Sequence, residues 1–176
     1  MLSGADAAGY PRGVKLGVDV GLARVGVALC DPDGVLATPL KTLARDAKKN
    51  SDVRVLARLA REHAAVQVFV GLPRSLQGRE TGSTRMAREY ADLLAGELSE
   101  PAPGIPVRLI DERLTTVSAH RALRESGLDG RKHRQVVDQV AAADILQQAV
   151  DMQKSLQRDV GEAVEHGTLP ASTELD

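Results

Sequence analysis

Aromatic residues are nearly missing from this sequence: they make up 2% of it, with no Trp, one Phe and two Tyr. The core must therefore be assembled from Val, Leu, Ile and Ala. Ring stacking cannot be the main hold on any nucleic-acid partner. A single cysteine, Cys30, rules out an intrachain disulfide and argues against a secreted, cross-linked scaffold. A buried, inert thiol is its expected state, with an intermolecular disulfide as the alternative. His63, His120, His133 and His166 stand at no metal-ligand spacing from one another or from Cys30, which argues against zinc. There is no signal-peptide pattern and no apolar run long enough for a bilayer, so no membrane partner is expected and the cytoplasm is the default location.

What is present fits one domain: 176 residues, 43% of them apolar and 27% charged. The net charge of −1 hides an asymmetry. After Arg158 the chain carries Asp159, Glu162, Glu165, Glu174 and Asp176 and no basic residue, so 158–176 reads as an acidic, disordered tail. Residues 1–13 read as a flexible lead-in, leaving 14–157 as the folded domain. Residues 10–158 hold all 23 basic side chains against 18 acidic ones, a net of +5, and 17 of the 23 are Arg. Arginine is the side chain shaped for two-armed phosphate contacts, so a polyanionic partner is permitted but not demanded.

Strand patterns at 14–20, 25–30 and about 35–41, joined by turns at 21–24 and 31–34, predict an antiparallel meander. The period then changes. Ser51 can cap a helix carrying Val53, Leu56, Leu59 and Ala60, and a strand follows at 66–70. Ser83 can cap a second helix whose Met86, Tyr90, Leu93 and Leu94 face inward, and the next strand is 107–111. Thr115 or Thr116 opens a third helix to about Ser126; a basic loop leads to a long helix from about 134 to 157. The expected fold is α/β: a mixed five-stranded sheet, three antiparallel strands then two parallel to the first, flanked by helices. Ligands in such sheets gather at the carboxyl ends of the parallel strands.

Three acids are candidates there. Asp19 ends the first strand on a face it shares with Lys15, Gly17 and Gly21, where a metal or phosphate can approach; a turn aspartate bonded to backbone is the alternative. The fifth strand ends in Asp111-Glu112-Arg113. Alternation sends the two acids to opposite faces, one toward the active edge and the other to cap the turn or pair with Arg, and spacing does not say which. Asp138 lies on the last helix in a stripe with Ala141, Ala142, Ile145 and Ala149. A carboxylate buried there needs a compensating cation or strong donors, unless it is a first-turn acid favoured by the helix dipole. Asp144 falls on a face read as solvated and is a reserve ligand. Converging acids of this kind form an all-oxygen site suited to Mg2+ or Mn2+, which can drive phosphodiester hydrolysis. Candidate phosphate contacts are Arg24, Arg113, the run Arg131, Lys132, His133 and Arg134, and a second cluster of Arg74, Arg79, Arg85 and Arg88. The plain alternative for each is a solvated charge.

These motifs resemble the YqgF/RuvX family, the Holliday-junction resolvase or pre-16S rRNA nuclease group of RNase H-like fold. The likeness spans about 14–151. Gly17-Val18-Asp19-Val20-Gly21 with Arg24-Val25-Gly26-Val27-Ala28 is similar to the first family motif, and Val70-Gly71-Leu72-Pro73 to the second. Asp111-Glu112-Arg113-Leu114-Thr115-Thr116 resembles the third, and Asp138 through Gln147 the fourth. The resemblance implies Asp19, Glu112 and Asp138 as catalytic, metal-holding acids, so it selects Glu112 over Asp111. It implies nucleic acid as partner: a ribosomal RNA precursor trimmed in ribosome biogenesis, or a branched DNA junction cut by a homodimer. Ser75 departs from the Asn usual after Gly-Leu-Pro. Two other readings compete. An actin-type ATPase lobe lacks here its second lobe and second Asp-x-Gly loop. A non-catalytic nucleic-acid module would not need all three acids.

Overall fold

The computed structural model describes residues 9–114 and 131–167. Its elements are β1 (Lys15–Val20), β2 (Arg24–Cys30), β3 (Ala37–Ala44), α1 (Ser51–Glu62), β4 (Gln67–Leu72), α2 (Gly82–Leu98), β5 (Val107–Asp111), α3 (Arg131–Leu156) and β6 (Glu162–Ala163). One sheet runs β3-β2-β1-β4-β5-β6. β1, β2 and β3 are antiparallel neighbours, and β4 and β5 run parallel to β1, as helical crossovers require. The expected third helix, 115–126, falls outside the described residues.

Alternation along the strands builds two cores. Leu16, Val18, Val20, Val25, Val27, Val68, Val70, Val107 and Leu109 pack against α1 and α2. The opposite face offers Ala28, Cys30, Phe69 and Ile110 to Ala141, Ala142, Ile145, Leu146 and Ala149 of α3. Burying a Leu or Ile side chain fully stabilises by about 1.5–3 kcal/mol, so residues such as Leu146 and Ile145 anchor α3 to the sheet. Cys30 is buried and free, as the composition suggested. No helix among the described residues is long and apolar enough to cross a membrane.

Several local expectations change. The sheet has six strands rather than five. The sixth comes from the segment read as a disordered tail, which is described as far as Gly167 and joins the fold. Its hold is long-range: Arg108 donates to the carbonyls of Val160 and Gly161, and Arg88 pairs with Glu162. Ser51 is the first residue of α1 rather than its cap; its hydroxyl donates to Asp46, and Asn50 occupies the cap position with φ 55°. α2 is capped by Thr81, not Ser83, through a reciprocal box with Thr84. α3 begins at Arg131, so the basic run expected in a loop belongs to the helix's opening turn.

Candidate active site

The site follows from three glycines on the α3 face. In the antiparallel pairing Asp19 stands opposite Gly26, so both project to the same face. Gly71 lies one step beyond the parallel pair Val18–Val70, on the other side of Asp19. A Cβ on Gly17 would stand 2.6 Å from the Ala142 carbonyl oxygen and from Leu146 Cβ. A Cβ on Gly26 would stand 2.1 Å from the Asp138 carbonyl oxygen. One on Gly71 would stand 2.5 Å from both Glu112 Oε1 and Ile145 Cδ1. The three missing side chains let α3 rest on the sheet backbone. They also place Asp138 above β2 and the Glu112 side chain above β4. Each of those strands is about 4.8 Å from β1, where Asp19 sits between them.

The structure thus brings Asp19, Glu112 and Asp138 to one row across the carboxyl edge, with relative exposures of 1%, 4% and 1%. Glu112, on the alternation of Arg108 and Ile110, is the acid that turns to this face. Asp111 takes the other role foreseen for the pair: it accepts from the backbone N–H of Arg113 and from its guanidinium, with Nη2 at 2.6 Å. That bond holds the Asp111 carboxyl below its ordinary range. Asp138 is not a first-turn acid, because α3 starts seven residues earlier. Its compensation is Arg24, whose Nε donates to Asp138 Oδ2 at 2.9 Å. Asp144 is half-buried rather than solvated.

The cations separate into groups. Arg24 reaches Asp138, while Arg113 is spent on Asp111. Arg74 is half-buried just past β4, and its Nε is enclosed with no hydrogen-bond acceptor among the described residues. Arg79 and Arg85 are exposed. Arg88 leaves the proposed second cluster, because it bonds Glu80 and Glu162 at the β6 edge. Arg131, Lys132 and Arg134 start α3 at the site's end of the helix; their side chains lie outside the description. Ser75 closes the loop after β4: its N–H donates to the Arg79 carbonyl and its Oγ accepts from the Arg79 N–H. Sequence reasoning missed Arg24 as the partner of Asp138, and missed Gly26 and Gly71 as contact points. The Gly-x-Asp and Val-Gly-Leu-Pro motifs held the signal in their small residues.

The donor chemistry fits a divalent cation. Three buried carboxylates supply only oxygen donors, a set of the kind that suits Mg2+ or Mn2+. The three are not drawn into a closed cage: among the described residues no three acidic, His or Cys side chains are grouped closely enough to hold an ion.

Comparison with known proteins follows the same line. The family model described as "RuvX: Holliday junction resolvase" matches residues 13–152. A protein of Frankia casuarinae is 51% identical over 141 residues, covering 80% of this chain and 68% of its own length. One of Nocardia farcinica is 49% identical over 158 residues, covering 86% and 85%. One of Streptomyces coelicolor is 46% identical over 162 residues, covering 92% and 93%. Each bears the name "Putative pre-16S rRNA nuclease". The solved structure of Thermus thermophilus RuvC in complex with Holliday junction substrate shares the fold. Its TM-score is 0.53 at 12% identity, with 86% of this chain and 99% of that one covered. With its family motifs in order on an RNase H-like sheet, the chain belongs to the RuvX family of nucleases, hydrolases of phosphodiester bonds.

Proposed function

We propose that this protein is a cytoplasmic, divalent-metal-dependent endonuclease that trims the 5′ end of pre-16S ribosomal RNA, with Asp19, Glu112 and Asp138 as its catalytic acids. The observation that carries the reading is the burial of three carboxylates around one glycine-floored row at the carboxyl edge of the sheet. Buried carboxylates are strongly unfavourable unless cations or strong donors compensate them. The names of the relatives support the choice of RNA substrate.

In this reading Asp19, from the central strand, and Glu112, from the end of β5, would hold Mg2+ or Mn2+ together with Asp138 from α3. Such an ion would activate a water and offset charge on the leaving oxygen. The remaining work belongs to the chain. Arg74 offers an enclosed Nε with no acceptor among the described residues, a donor suited to a phosphate oxygen. Arg131, Lys132 and Arg134 would set the backbone's register by neutralising phosphates, giving binding that weakens with salt; Arg24 and Arg113 could join them only by leaving Asp138 and Asp111. The glycine floor seats α3 against the sheet and so sets Asp138 beside the strand that carries Asp19.

The test is cleavage of a pre-16S fragment by wild type and Asp19→Asn, each with Mg2+, Mn2+ or EDTA. Wild type is expected to cut only with metal. Asp19→Asn is expected to lose at least about 100-fold in rate while still binding the RNA. Undiminished cutting by the variant removes Asp19 from the mechanism. The family description and the RuvC-like fold favour a second reading, resolution of a four-way DNA junction by a homodimer with two symmetry-related sites. A synthetic junction run beside the RNA, with the oligomeric state measured in solution, separates the two.

A further inference from the structure

Arg24 does more here than phosphate binding explains. It opens β2 straight after a tight turn in which the Gly21 N–H donates to its carbonyl, and its side chain runs to α3. The Asp138 side chain it meets is 2% exposed, whereas that of Arg24 is 28% exposed, so the carboxylate is enclosed while the guanidinium borders solvent. The grip is one-armed: Nε alone bonds Asp138, although a guanidinium holds a carboxylate best with two parallel N–H groups. The guanidinium is always charged, so it supplies a permanent positive charge beside the row of three acids.

We propose that Arg24 is an exchangeable counter-ion. It holds the Asp138 carboxylate while no metal is bound, yields it when a divalent cation enters, and turns its freed guanidinium toward the substrate phosphate. The inference rests on the metal-dependent reading above. It accounts for an enclosed carboxylate, on the same face as two further buried acids, that is held by one arm of a guanidinium bordering solvent. A buried acid left without a cation would be strongly unfavourable, so a stand-in lets the protein fold before metal arrives. A one-armed, solvent-bordering pair is the form of stand-in that can leave.

The experiment is calorimetric titration of Mn2+ into wild type, Arg24→Gln and Arg24→Lys at one pH and ionic strength, with thermal melts in EDTA. If Arg24 competes with metal, Arg24→Gln binds Mn2+ about tenfold more tightly, because one positive charge next to the site is gone. It also melts at lower temperature in EDTA and gains more from added Mn2+ than wild type does. Arg24→Lys keeps the charge and stays close to wild type. Equal or weaker Mn2+ affinity in Arg24→Gln overturns the inference and makes Arg24 a fixed support. Should Arg24→Gln not fold, the Arg24 Nε–Hε NMR signal of wild type, assigned by its loss in Arg24→Lys, decides. It should move to the free-guanidinium position on saturation with Mg2+, and a signal that stays put overturns the idea. Wild type that takes up no metal removes the metal-dependent reading as well, so the two failures are told apart.

Discussion

Adding one methyl group at Gly26 tests whether the floor of the site sets its geometry. The new Cβ would stand 2.1 Å from the Asp138 carbonyl oxygen. Ordinary C···O contacts begin at about 3.3 Å, so α3 or β2 must yield by roughly 1.2 Å. The obstacle is backbone on both sides, so no side chain can rotate to make room. Overpacking of this kind destabilises by about 1–3 kcal/mol. The effect on catalysis is larger, since a displacement of about 1 Å at a reacting group can cost about 100-fold in rate. Gly26→Ala is therefore expected to remain folded at 25 °C while its metal-dependent cleavage falls by about two orders of magnitude. The assay is initial cleavage rate beside far-UV circular dichroism and a thermal melt on the same sample. Gly82→Ala is the matched control: it sits in the first turn of α2, meets nothing within 4 Å, and should keep full activity. Wild-type cleavage with an unchanged melt in Gly26→Ala would refute the argument that contact between α3 and the sheet positions Asp138.

Three further outcomes are expected. Asp46 accepts from the Ser51 hydroxyl first, then from backbone N–H groups including Lys49, which lowers its carboxyl from 3.8 to about 2. A lowered folded-state value means stability that is present above pH 3.8 and lost as pH falls toward 2. Asp46→Asn should flatten that acid limb in urea titrations between those pH values; an unchanged slope counts against it. Gln153 accepts from buried Lys15 at 2.6 Å and donates to Gln67 and Asp159. Gln153→Leu removes the acceptor of Lys15 Nζ and the donor to Gln67 Oε1, while Asp159 keeps Gln67 and the Val160 N–H, and should cost about 2–4 kcal/mol by chemical denaturation; a loss below half of that would mean the network relaxes. Arg108→Met removes the donors to Val160 and Gly161, so limited proteolysis should cut within 158–167 faster than in wild type. Equal protection would show that β6 is held by other contacts.

The antiparallel meander and the two parallel strands were legible in the sequence because they rest on short-range regularities. Period-two alternation gave Asp19 a defined face but only sent Asp111 and Glu112 to opposite ones; the family resemblance made that choice, and the alanine stripe drew attention to Asp138. What escaped notice depended on partners far along the chain or on competition between neighbours. The Ser51 hydroxyl is a good cap in isolation, but Asp46 claims it; Ser83 loses to Thr81 because Thr84 completes the box. Residues 131–134 looked like a loop by charge, although Arg and Lys favour helix about as well as Leu does. β6 has no apolar alternation to announce it, since Arg88 of α2 holds its Glu162 and Arg108 of β5 holds the Val160 and Gly161 carbonyls just before it.

At Gly26 and Gly17, α3 lies directly against main-chain atoms, with no side chain in between to absorb a shift. Any tilt of the helix is therefore passed undamped to the carboxylate it carries. Warming should weaken the grip on a divalent ion at temperatures where the circular dichroism signal still reads as native. Catalytic output would then be the more sensitive gauge of how well this helix is seated.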